Sequence, residues 1–178
     1  DVGSNPCFAN RDKLKLAVGE YMTQNCPNDP NCTLGGVYGW PINSWCVSNV
    51  TDMSYLFSGS GFNDNISSWD VSNVTNMAGM FQYTYAFAGD ISQWDVSNVV
   101  DMSYMFYYAT SFNGQVSGWG VSQVTNMAYM FANAQVFNGD ISGWDVSNLV
   151  DMSYMFYYAY AFNGELMRWN ISSVSNMN

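Results

Sequence analysis

Three aspartates, Asp70, Asp95 and Asp145, fall at one place in a repeating pattern, with Gly120 and Asn170 where two more would extend the row. Carboxylates repeated at a strand separation of about 4.8 Å have the oxygen chemistry of a Ca²⁺ site. The same row keeps a surface solvated, and Gly120 interrupts it, so solvation is the favoured reading. Catalysis finds less. Equivalent carboxylates in equivalent surroundings do not divide into an acid and a base. The chain has no histidine, the commonest general base and metal ligand. No nucleophile–base pair or phosphate-binding glycine loop is present. We expect no enzyme activity and no cofactor.

Cys7, Cys26, Cys32 and Cys46 all lie near the start. They lack the close C-x2-C pairs of zinc sites, and an even, clustered count reads as two disulfides in an oxidising compartment. Three pairings are open. Asn31, Asn49, Asn65, Asn73 and Asn170 begin Asn-x-Ser/Thr sequons, which fit a secreted glycoprotein. No leader is visible, so residue 1 reads as the mature end. Acidic residues outnumber basic ones 14 to 4, for a net charge of −10. That balance excludes a nucleic-acid partner and an anionic membrane surface, and no apolar run reaches the roughly 20 residues of a membrane span.

Tyrosine is the other chemistry-bearing residue. Tyr104, Tyr107, Tyr108, Tyr129, Tyr154, Tyr157 and Tyr158 recur around a Met-Phe pair. Rigid and amphipathic, tyrosine suits protein contacts and sugar stacking, so this row is a candidate interaction surface.

The elements that must position these rows follow from the period. Trp69, Trp94, Trp119, Trp144 and Trp169 are 25 residues apart, and Met77, Phe81 and Phe62 each begin a similar series. A fixed period of this length predicts stacked coils, each burying its apolar face only against its neighbours. Ile91-x-x-Trp94-x-Val96 reads as a short strand, with tryptophan and valine inward and Asp95 outward. Apolar residues then recur every three or four positions, which predicts short helical or 3₁₀ turns. Asp52, Asn76, Asp101, Asn126, Asp151 and Asn176 would be their N-caps. Asn-Gly or a near equivalent after the second Phe marks a turn. Ten of the twelve methionines sit in core registers. The expected fold is an α/β repeat solenoid, right-handed, with a short parallel sheet on one face. Residues 1–44 would form a helical cap, with a helix from Arg11 capped by Asn10 and Leu14, Leu16, Ala17, Val18 and Tyr21 near helical spacing. Residues 45–178 would form five to six coils, the last incomplete. Coils alternate in type, giving a 50-residue super-period. Cys46 takes the outward position held by Asp70, so a disulfide there would tie cap to array.

Units such as Trp69-Asp-Val-Ser-Asn-Val-Thr-Asn-Met and Trp144-Asp-Val-Ser-Asn-Leu-Val-Asp-Met-Ser-Tyr-Met-Phe resemble the BspA-type leucine-rich-repeat surface proteins, in the branch with 25-residue repeats found in mycoplasma, other bacteria and marine unicellular algae. The resemblance spans Trp45 to Asn178 and implies an extracellular or cell-surface adhesive or structural protein. We expect a rigid structural protein that self-associates into filaments or a coat, with Leu166, Ile171 and Val174 at the assembling end. The alternative is a carbohydrate- or receptor-binding module that uses the tyrosine row.

Overall fold

The computed structural model describes residues 6–26, 29 and 32–178. Helix α1, Arg11–Thr23, begins where the Asn10 side chain accepts a hydrogen bond from the Lys13 N–H. That bond satisfies one of the N–H groups a helix start leaves open. Leu14, Ala17, Val18 and Tyr21 are buried. Leu16, expected with them, is 61% exposed, because it falls on the opposite side of the helix.

A single turn of helix, α2 (Gly35–Tyr38), and a 3₁₀ turn at Ile42–Ser44 complete the cap. Phe8 stacks on Tyr38 at 4.4 Å and tilts against Trp45 at 5.3 Å. Cys7 pairs with Cys46 and Cys26 with Cys32, so the expected tie between cap and array exists, with Cys7 as its other half. Two polar contacts reinforce it. The Arg11 Nε donates to the Ser54 carbonyl at 2.8 Å, and the Tyr21 hydroxyl to Asp64 Oδ2 at 3.0 Å.

The expected α/β solenoid with a parallel sheet is not found. Among the described residues the helices are confined to the cap, and strand pairing is reduced to isolated parallel bridges joining Asp52, Asn76, Asp101, Asn126, Asp151 and Asn176 in succession. The reason lies in the local hydrogen bonds. The Trp94 N–H returns to the Ile91 carbonyl, and the Val99 N–H to that of Val96. The presumed strand is therefore two consecutive turns, with no extended run from which a sheet could grow.

The presumed helices are also turns. In Met53–Ser60, the N–H groups of Leu56, Ser58 and Ser60 bond to carbonyls three residues back. Those of Met53, Tyr55, Phe57 and Gly59 instead cross to Asn76, Ala78, Met80 and Gln82 of the next coil, at 2.8–2.9 Å. A helix would send every N–H along its own axis; here alternate ones join neighbouring coils. The would-be N-caps are consequently Asx turns, in which the side-chain oxygens of Asp52, Asn76, Asp101, Asn126 and Asp151 accept from the N–H two residues on.

The core agrees with the sequence pattern, except that Met177 of the last coil, expected inside, is 63% exposed. Phe81, Phe106 and Phe131 stack at 5.6 Å from coil to coil, and each also stacks at 3.8–3.9 Å on the second phenylalanine of its own coil. Met53, Met77, Met80, Met102, Met105, Met127 and Met130 are fully buried. From Trp69 to Trp169 each repeat tryptophan is buried, yet its indole N–H is satisfied across the coil boundary: Trp94 donates to Ile66, Trp119 to Ile91 and Trp144 to Val116. The Asn-Gly glycines act by size. A Cβ on Gly114 would lie 2.7 Å from the Phe112 ring.

Candidate interaction surface

Each coil places two residues in the left-handed region, four positions apart. They are Tyr55 and Gly59, Gly79 and Tyr83, Tyr104 and Tyr108, Tyr129 and Asn133, and Tyr154 and Tyr158, with φ between 53° and 69°. Each is the third residue of a hydrogen-bonded turn, such as Met102–Met105 or Phe106–Ala109. That position of a type II turn needs φ > 0 and normally takes glycine or asparagine. An L side chain there costs roughly 1–2 kcal/mol. Gly59, Gly79 and Asn133 stand at the same register as the tyrosines, and this was the signal in the sequence that could have identified the position.

What offsets the strain is contact between rings. Tyr104 stacks on Tyr129 at 4.8 Å and 7°, and Tyr129 on Tyr154 at 4.9 Å and 25°. A second column places Tyr83 on Tyr108 at 5.2 Å. Between the columns, Tyr107 meets Tyr104, Tyr108 and Tyr83 edge-on at 4.7–5.5 Å. In the fifth coil Tyr157 repeats this against Tyr154. All seven tyrosines expected at this surface therefore meet on one face, and Tyr83, Tyr85 and Tyr160 extend it. Tyr55 belongs to the first column but is separated by Gly79, over which its ring lies. Rings stacked face to face cover one another's faces along the column. Such a column offers ring edges and hydroxyls.

Tyr104, Tyr107 and Tyr157 hold their phenolic protons more strongly than usual. Burial, followed by the Tyr129 phenol, raises Tyr104. Burial and a hydrogen bond to Tyr83 push Tyr107 up to about 12. A hydrogen bond to Tyr158 raises Tyr157. These three stay neutral hydrogen-bonding groups at physiological pH.

The other candidate residues lie elsewhere. Asp70, Asp95 and Asp145 each accept the N–H of the serine two residues on, at Ser72, Ser97 and Ser147. Hydrogen bonds from Ser97 and Ser147 hold Asp95 and Asp145 below the usual carboxylate range. Among the described residues no three acidic, thiol or imidazole groups gather closely enough to hold a metal ion. Asn49, Asn65, Asn73 and Asn170 are exposed; Asn31 lies outside the described residues. Asn73 uses its Nδ2, the atom a glycan would take, to bond the Ser48 carbonyl, whereas Asn65 and Asn170 bond through Oδ1. Asn98 and Asn148 repeat the Asn73 bond to the preceding coil. Leu166 and Val174 pack partly buried against the core, and Ile171 is 42% exposed. No helix among the described residues is long and apolar enough to cross a membrane.

The model of the family described as Mycoplasma protein of unknown function, DUF285, matches residues 36–135 and again 88–178. No curated protein and no solved structure matches.

Proposed function

The chain belongs to this mycoplasma repeat family, and from that premise we propose that it is an extracellular adhesive module of the BspA-like surface type, making its contacts through the tyrosine face. The observation that carries the reading is the density of stacked phenols on one side of a hydrogen-bonded array. The fixed rings lose little conformational freedom on binding, which lowers the cost of ordering an interface. Tyrosine is enriched where binding energy concentrates. Two disulfides fit an oxidising location.

Because ring edges and hydroxyls face outward, the partner we favour is a hydrogen-bonding polymer, a polysaccharide or glycan, rather than an apolar groove. Five sequons suit a secreted glycoprotein. Binding of the purified chain to immobilised polysaccharides and a glycan array tests this, with Tyr107→Ala, Tyr83→Ala and a sedimentation series run in parallel. Retention that falls in both variants while the chain stays monomeric is the expected result. No retention, together with concentration-dependent growth in size, would replace adhesion to glycans with the self-associating structural role. Retention unchanged in both variants would move the contact off this face.

A further inference from the structure

Tyr104, Tyr129 and Tyr154 are in near-parallel contact, and the backbone fixes their spacing. Each has φ between 53° and 57°, and their N–H groups bond to Ala128, Ser153 and Asn178 of the next coil at 2.9–3.0 Å. Ring-to-ring distances of 4.8 and 4.9 Å follow from the coil repeat. Tyr107 and Tyr157, edge-on to the column, lead outward to exposed phenols at Tyr158, Tyr160, Tyr83 and Tyr85. All four cysteines are in disulfides, so the chain has no thiol to reduce a radical formed here.

We propose that the Tyr104–Tyr129–Tyr154 column is an oxidative cross-linking site, at which a haem peroxidase using hydrogen peroxide joins successive coils through ring-to-ring bonds. The enzyme takes one electron and the phenolic proton from an exposed tyrosine. The radical then passes by hydrogen-atom exchange along touching phenols into the column. Two such radicals on neighbouring rings couple at ring carbons ortho to their oxygens, forming one C–C bond. The hydrogen on each coupled carbon moves to the oxygen and restores both phenols. In total two tyrosines lose two hydrogen atoms, and one peroxide becomes two waters. The product would be a covalent staple between residues 25 apart in sequence.

The sequence provides its own assay. Cleavage after methionine with cyanogen bromide releases Ser103–Met105, Ala128–Met130 and Ser153–Met155, each carrying one column tyrosine. The whole chain is treated with horseradish peroxidase and limiting peroxide, the monomer is isolated, and its cleavage products are read by mass spectrometry and dityrosine fluorescence. The expected product is a pair of these tripeptides joined with loss of two hydrogens. Tyr129→Phe keeps the ring but removes the phenol, and should reduce both column links to background. Tyr104→Phe should remove only the first, leaving the Tyr129–Tyr154 link. Dityrosine confined to dimers or to the Tyr157–Tyr158 fragment, none in the monomer, or an undiminished yield in Tyr129→Phe would each overturn the proposal.

Discussion

At the residue scale the tyrosines combine two demands that usually conflict. A left-handed backbone favours the absence of a side chain, yet here it carries one of the largest. Gly79 marks the one place in the first column where the chain takes the unstrained option, and the Tyr55 ring occupies the space that a side chain would need. Gly79→Ala should therefore destabilise the fold by about 1–3 kcal/mol, since it adds both a collision and strain. Tyr55→Ala with Gly79→Ala should recover the collision part and leave the strain. Urea unfolding of the two single variants and the double variant measures the coupling; strict additivity would mean that the ring does not oppose the new methyl.

The raised Tyr107 gives a second expectation. Its folded value of about 12 lies above the ordinary 10.0, so the folded state holds a proton that the unfolded chain releases. The resulting stability is whole below pH 10 and is lost as pH rises through 12. Thermal melts across that interval should show a decline that Tyr107→Phe makes shallower. An equal decline in the variant would assign the effect to other phenols.

Elements explain which parts of the fold were legible in the sequence. Burial was. Trp, Val, Met and Phe rows repeat every 25 residues, and repetition alone tells which side chains share an interior. Backbone conformation was not legible. A hydrogen-bonded turn brings residues i and i+3 together as a helix does, so Val99, Met102 and Met105 fit both equally well. The difference lies in the sign of φ at Tyr104 and Tyr108, which tyrosine conceals and glycine would have announced. The tyrosine surface itself was legible as a cluster but not as stacked columns, because stacking depends on that same φ.

The cap shows the covalent counterpart. In the loop-entropy account, joining residues 39 apart is worth about 4 kcal/mol, and joining residues 6 apart about 2. Replacing Cys7 and Cys46 together by serine should lower the unfolding free energy by about 4 kcal/mol, clearly more than replacing Cys26 and Cys32. Equal losses in denaturant titrations would show that the cap-to-array link has no special weight.

For the whole molecule, the 50-residue super-period has an electrostatic consequence. The bridged residues run Asp52, Asn76, Asp101, Asn126, Asp151, Asn176, so no carboxylate has another carboxylate on the next rung. At the last rung the Asn176 amide donates to Asp151 Oδ2 at 2.9 Å. Removing residues 69–93 would place Asp52 against Asp101, whereas removing 69–118 would place it against Asn126. The shorter deletion should therefore melt at lower temperature at pH 7, despite retaining more of the array, and Asp101→Asn in that shorter chain should restore it. Thermal melts of the three chains at pH 7 test this. A higher melting temperature for the shorter deletion at pH 7 would leave the alternation without an energetic role.

The crossing of alternate N–H groups between coils has a mechanical consequence. A load applied along the stack meets few bonds within a coil that resist it, because the coil is a chain of turns. It is carried by the rungs of one coil boundary, together with one indole bond and the stacked rings beneath. When that boundary parts, 25 residues come free, a slack of at most roughly 80–90 Å, and the next boundary takes up the load unchanged. Under tension the array would lengthen in equal steps, dissipating energy at each one, so that an anchored chain could give way repeatedly without losing its grip.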